Sequence, residues 1–293
     1  MAEEAIKVAP PPWQLKGTIY SFAFWVSKKQ AADGLPAHIA YSPLEAGSGF
    51  AQPQNGRLLG GLSMIQLIRY SETPVGPYDE LILAPGFFEY AVDGKDGRRE
   101  TRKNVRITRI YVSQKHTCWN GRKNWNIPKH LAAFRWTDNQ DGSQTVQVFP
   151  HDTEGDPAET RASAKPFFQA VIKPMAYAPS FPLSWSLLKY VGIDSTMVHP
   201  PLPASAASSQ GELPGTERWA SVLPDIYSPR TSLMWFDVKQ PEEQLQQQGG
   251  GSATAPAENF WPGLGRWQVG FRMEDTVIGF GEGTHWDPPK SLL

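Results

Sequence analysis

VRITRIYVSQKHTCWNGRKNWNIPKHLAAFRW, residues 105–136, is the stretch from which the rest of this chain can be read. Val105 to Val112 is rich in β-branched and aromatic residues and predicts a strand. A polar connector follows, carrying Cys118, Trp119, Gly121 and Arg122. Pro128 then forbids helical continuation and fixes the backbone just before Lys129. From Leu131 to Trp136 the chain turns apolar again and predicts a buried strand. A lysine therefore stands at the start of a buried strand, held by a proline and followed by His130. An ammonium kept charged and dry is costly, and desolvation lowers a lysine pKa and frees the amine as a nucleophile.

Working outward, short apolar runs alternate with turn residues. Ile19–Val26, Gly60–Tyr70, Tyr78–Val92 (bent at Pro85–Gly86), Gln144–Phe149, Phe167–Ile172 and Leu233–Val238 read as strands. Asp93–Lys103 reads as a charged hairpin turn, and Trp267–Met273 with Thr276–Phe280 as a closing hairpin turned at Glu274–Asp275. Leu183–Val191 has helical spacing. No helix–strand alternation appears, which argues against a doubly wound sheet, and a mainly β fold, an antiparallel β-barrel with few helices, is expected. One domain over residues 13–293 is expected, with 1–12 a flexible arm and 200–215 and 239–258 low-complexity surface insertions.

Composition narrows the function. With 28 basic against 29 acidic residues, the chain lacks the basic excess of a nucleic-acid binder. A single cysteine excludes an intramolecular disulfide and suits the cytoplasm. No run approaches a membrane span, and the N-terminus has no secretory pattern. The six histidines show no metal-ligand spacing, and no cofactor motif is present.

Tyr111, Val112, Gly121, Arg122, Trp125, Pro128 and Lys129 match, in order, positions of the pattern Y-hydrophobic-D, a short helix, then G-R-x-x-W-G-x-P-K. Gly76-Pro77-Tyr78-Asp79-Glu80 matches G-x-Y-x-E. In these two patches the chain resembles the acetoacetate decarboxylase family, a standing example of lysine activation by desolvation or a neighbouring cation. The resemblance implies a barrel enclosing a ligand cavity, Lys129 as the imine-forming amine and Glu80 as its proton-transfer partner. Family members carry a second lysine where His130 stands, an arginine near the N-terminus, and a glutamate on the strand that here reads Met64-Ile65-Gln66-Leu67. Histidine is largely neutral at pH 7 and adds little charge beside Lys129, so desolvation would supply most of the pKa shift.

Lys129 and Glu80 are thus the catalytic candidates, and Arg69 and His130 the candidates for holding substrate. Arg69 could grip a carboxylate in a bidentate manner. Each has a plainer alternative: a strand-end lysine with its amine in water, a glutamate and an arginine on a solvent face, a structural histidine. Cys118 reads as a packed residue. Two functions remain open. One is a decarboxylase-like lyase, or an aldolase or dehydratase, forming a Schiff base with a small keto acid. The other is a non-catalytic barrel holding a small apolar ligand. Neither involves nucleic acid or a membrane, and a homo-oligomer is compatible with both.

Overall fold

The computed structural model describes residues 4–33, 37–94, 96, 98–153, 156–192, 194–238 and 264–289. In chain order the strands are β1 (Trp13–Val26), β2 (Arg57–Glu72), β3 (Tyr78–Ala84), β4 (Phe87–Asp93), β5 (Arg99–Val105), β6 (Arg109–Val112), β7 (Lys129–Asp138), β8 (Gln144–Pro150), β9 (Phe168–Pro174), β10 (Phe181–Ser184), β11 (Met197–His199), β12 (Trp219–Val222), β13 (Pro224–Asp237), β14 (Trp267–Phe280) and β15 (Thr284–Trp286). The helices are α1 (Lys28–Ala32), α2 (Ala37–Ala40), α3 (Pro43–Ala46) and α4 (Lys115–Trp125). Nine strands close into a barrel in the order β1-β14-β13-β9-β8-β7-β6-β3-β2, with β2 returning onto β1. Strands β4, β5, β11, β12 and β15 continue from β2 as a smaller sheet.

The barrel is mixed, which corrects the antiparallel expectation. β6 and β7 run parallel, with Ile110 opposite Lys129 and Val112 opposite Leu131, and β5 pairs with β11 in the same sense. Parallel neighbours need a crossover, and α4 supplies it. The polar connector of the sequence reading is therefore an 11-residue helix. Asn126 ends it in the left-handed conformation, φ 53°, two residues before Pro128.

Other boundaries shift for local reasons. Tyr78–Val92 divides into β3 and β4 at Pro85–Gly86. Gly86 has φ +116°, and a Cβ there would lie 2.6 Å from the Gly60 carbonyl oxygen. The charged segment becomes strand from Arg99 onward because β5 pairs in register with β4 and leaves its charges in water. The closing hairpin is one strand, β14, running between β1 and β13. Its Glu274–Asp275 pair forms a bulge at which Asp275 has φ 51° and both carboxylates meet Arg230. Leu183–Val191 is not an α-helix: Leu183 and Ser184 pair with β13, and a 3-10 turn follows over Trp185–Val191.

Residues 4–12 lie along α4, where Ala9 N–H donates to Asn120 Oδ1 at 2.8 Å. The 200–215 segment packs instead of lying free. Leu202 and Leu213 are buried in it, and the Pro203 and Pro214 carbonyls accept from Arg122. The expected insertion at 239–258 lies outside the described residues. Among the described residues no helix is long and apolar enough to cross a membrane.

Alternation along β2, β3, β6 and β7 sends successive side chains to opposite faces of the wall. Ile65, Leu67, Leu81, Leu83, Tyr111 and Ala132 join one apolar core. Ile68, Tyr70, Tyr78, Ile82, Ile110, Val112 and Leu131 join another, together with Cys118, Trp125 and Ile127 from α4 and its exit. The second core contains a cavity of about 360 Å³.

Candidate active site

Lys129 opens β7 on the cavity face and is the one buried lysine among the described residues. Its backbone is pinned: the carbonyl accepts from Arg122 Nη1 at 3.2 Å and from Cys118 Sγ at 3.2 Å. Its aliphatic stem crosses α4 at Gly121, where an added Cβ would lie 2.6 Å from Cδ and 2.7 Å from Cε. The glycine-arginine pair of the motif thus has a mechanical meaning. Gly121 leaves room for the lysine stem, and Arg122 clamps the peptide behind it.

The ammonium donates to Glu80 Oε2 at 2.7 Å and to Thr117 Oγ1 at 3.0 Å, and it stands 5.1 Å from the centre of the Tyr78 ring. Thr117 and Gly121 are four residues apart on one face of α4, so both meet the same side chain. The other oxygen of Glu80, Oε1, accepts from the Tyr70 hydroxyl at 3.0 Å. Tyr78 and Glu80 share the cavity face of β3, and Tyr70 stands opposite Tyr78 on β2. Glu80 is 3% and Lys129 5% exposed, which removes the alternative of a solvent-facing amine.

The electrostatics differ from the sequence expectation. Burial lowers the Lys129 pKa, but the Glu80 carboxylate, with help from Tyr78, outweighs it and holds the amine above the ordinary lysine value. The resting site is a lysine–glutamate pair whose contact favours the ammonium form of Lys129. Burial pushes Tyr78 up to about 12, with Lys129 pulling it down and Glu80 pushing it further up, and burial with Glu80 drives Tyr70 well above the ordinary phenol value. Both phenols stay protonated and can donate.

Apolar side chains dominate the cavity wall. Trp13, Trp125, Ile68, Ile82, Ile107 and Phe271 contribute to it, and β10 with its 3-10 turn adds Leu183, Trp185 and Leu188. Among the described residues that line it, Lys129 and Glu80 are the charged ones.

The other two candidates are elsewhere. Arg69 is exposed on the opposite face of β2, 3.7 Å from Asp79 and stacked over Trp136. His130, one residue after Lys129, also points to the opposite face, where its Nε2 meets Glu45 at 2.6 Å and its Nδ1 meets Glu159 at 2.5 Å. It is not neutral. Burial alone lowers its pKa, yet the two carboxylates raise it to about 10. Burial likewise pushes Glu45 upward, but His130 and Arg122 hold its carboxyl below the ordinary range. Arg122 Nη1 completes this group 3.0 Å from Glu45 Oε1. Burial raises the Cys118 thiol far above its ordinary value, consistent with a packed residue.

Sequence reasoning missed Thr117, Tyr70 and Tyr78 as members of the site. Strand period two ties Tyr78 to Glu80, and helical spacing ties Thr117 to Gly121. Both signals are present once α4 is read as a helix.

Solved structures place this architecture. The chain is similar to an acetoacetate decarboxylase of Legionella pneumophila, with a TM-score of 0.54 at 12% identity over 98% of this chain and 92% of that one. It is similar to a second acetoacetate decarboxylase structure, with 0.52 at 12% over 96% and 91%. It is also similar to an acetoacetate decarboxylase-like enzyme of Sphingomonas wittichii RW1, with 0.51 at 10% over 96% and 94%. No protein-family model and no curated protein sequence matches the chain. The fold is that of the acetoacetate decarboxylases.

Proposed function

We propose that this chain is an acetoacetate decarboxylase-like lyase in which Lys129 forms a Schiff base with a small carbonyl substrate, keto acids being the class that the resemblance implies. The observation that carries the reading is the Lys129–Glu80 pair at the wall of an apolar cavity. Filling that cavity expels water. Desolvation, which already opposes the charged form of Lys129, then grows, and the ion pair collapses toward neutral amine and carboxylic acid. The amine attacks the carbonyl carbon, and Glu80 returns its proton as the carbinolamine loses water. Overall, ammonium and ketone give iminium and water. The positive charge stays on nitrogen and keeps Glu80 as its counter-ion.

The iminium then draws electrons from a bond at the neighbouring carbon. For a β-keto acid this is the bond to the carboxyl group; for another carbonyl compound it is a C–H or C–C bond. Glu80, oriented by Tyr70, takes or gives the proton at that carbon. Thr117 positions the nitrogen. The partner in this reading is a small molecule, without nucleic acid or membrane, and the setting is cytoplasmic.

Exchange of the α-hydrogens of a simple ketone in D2O, followed by NMR, tests the enamine step. The native chain should catalyse exchange. Lys129→Arg should abolish it, since a guanidinium does not deprotonate. Glu80→Gln should slow it by about 10²–10⁴-fold. Exchange at the background rate with the native chain would refute the proposal. A non-catalytic barrel is favoured by one observation, the 2.7 Å Lys129–Glu80 contact that favours the ammonium form, and binding of apolar ligands without exchange would establish it.

A further inference from the structure

Gln66 is a polar residue of the cavity wall that the lysine chemistry leaves unused. It is 4% exposed, and its side-chain nitrogen has no hydrogen-bond partner. A buried amide donor without an acceptor is costly, and a ligand oxygen that accepts from it relieves that cost. Its place relative to Lys129 follows from the register. Gln66 stands opposite Ile82, Ile82 opposite Ile110, and Ile110 opposite Lys129, and all four line the cavity. They form one row across β2, β3, β6 and β7, with two isoleucines between the two polar ends. Three strand spacings of about 4.8 Å separate those ends along the wall. The Lys129 ammonium itself reaches across to Glu80 on β3, 2.7 Å away, and Glu80 stands opposite Ile68, two residues along β2 from Gln66, so a small molecule joined to the lysine nitrogen can turn its far end to Gln66.

Charge decides what that far end can be. The iminium inherits the ammonium's charge and is balanced by Glu80, so a substrate carboxylate would add a negative charge that no cation lining the cavity among the described residues can meet. In an apolar cavity such a charge is strongly disfavoured. Gln66 can donate a hydrogen bond but cannot neutralise a charge.

We infer that Gln66 is a specificity-determining residue and that the substrate is an uncharged carbonyl compound with a second oxygen that accepts from it, such as a β-hydroxy ketone or a β-keto ester. The inference rests on the Schiff-base reading, keeps its imine step and replaces the keto acids that the resemblance implies with neutral carbonyl compounds.

Two matched pairs test it: a β-keto acid against its methyl ester, and a β-hydroxy ketone against the alkyl ketone of equal length. Each is measured by the rate of borohydride trapping and by tryptophan-fluorescence titration, which reports through Trp13, Trp125 and Trp185 in the wall without a covalent step. The ester should trap at least about tenfold faster than the acid. The hydroxy ketone should trap and bind at least about tenfold better than the alkyl ketone, and Gln66→Leu should erase that second preference while leaving thermal unfolding unchanged or raised. Equal trapping of acid and ester would overturn the inference, as would a hydroxy-ketone preference that survives in Gln66→Leu. Absence of any adduct would sink the Schiff-base reading alone. Fluorescence then decides for Gln66: a binding preference that Gln66→Leu removes supports its role, and no preference refutes it.

Discussion

Lys129 and His130 are neighbours in the chain and opposites in the fold. Each is a buried cation on β7 paired with glutamate, and alternation puts them on the two faces of one wall. On the far face every partner is supplied by the protein: His130 has Glu45 and Glu159, and Arg122 has Glu45 and the carbonyls of Lys129, Pro203 and Pro214. On the cavity face the Lys129–Glu80 pair borders an apolar cavity and a row that ends in an amide nitrogen without a protein partner. A charge whose partners are complete holds the structure together. A charge whose surroundings change when a ligand arrives can do chemistry.

The comparison breaks most visibly if the far-face group is dispensable. Arg122→Met leaves Glu45 and three carbonyls short of a donor, and it should cost about 3–5 kcal/mol in urea unfolding. Lys129→Met should cost less, because Glu80 can take up a proton and the new side chain suits an apolar cavity. A larger loss from Lys129→Met than from Arg122→Met would reverse the assignment of roles.

Alkaline pH probes the same group. The His130 pKa rises from 6.5 to about 10 on folding, so its stabilisation is whole below about pH 6.5 and is lost as pH climbs toward 10. Stability should fall by about 1 kcal/mol per pH unit across that window. His130→Gln should flatten the slope, and an unchanged slope would show that His130 is not the titrating group.

Gly121→Ala sharpens the contrast, since its Cβ would meet the Lys129 stem and leave the far face untouched. A stability loss of about 1–2 kcal/mol is expected, with ketone trapping slowed about tenfold as the ammonium moves off Glu80. Unchanged trapping would mean that the stem position does not matter.

These contrasts also show what the sequence could convey. Lys129 and Glu80 were legible because proline, strand period and the two motif patches are local signals. Composition alone obscured the helix between β6 and β7, because Gln114 to Asn124 is almost wholly polar; the resembled pattern carries a short helix there, but not the parallel pairing that the crossover permits. The charge of His130 was illegible for another reason. Its partners lie 85 and 29 residues away, and one histidine carries no mark of carboxylates brought up by folding. The Lys129 pKa followed the same logic: burial was foreseen, but the 2.7 Å contact that reverses its effect belongs to tertiary structure. Pro200 to Gly215 reads by composition as a surface insertion, yet the Pro203 and Pro214 carbonyls are acceptors that Arg122 needs.

The most direct test of the account is where an adduct forms. Borohydride is added to the native chain with a neutral ketone, and the digested peptides are mapped by mass spectrometry. Exposed lysines such as Lys16 and Lys123 act as internal controls. The account predicts a single reduced adduct on Lys129, formed faster as pH rises because the resting amine is held protonated by Glu80, and absent in Lys129→Arg. Labelling spread over the exposed lysines with Lys129 unmodified would contradict it.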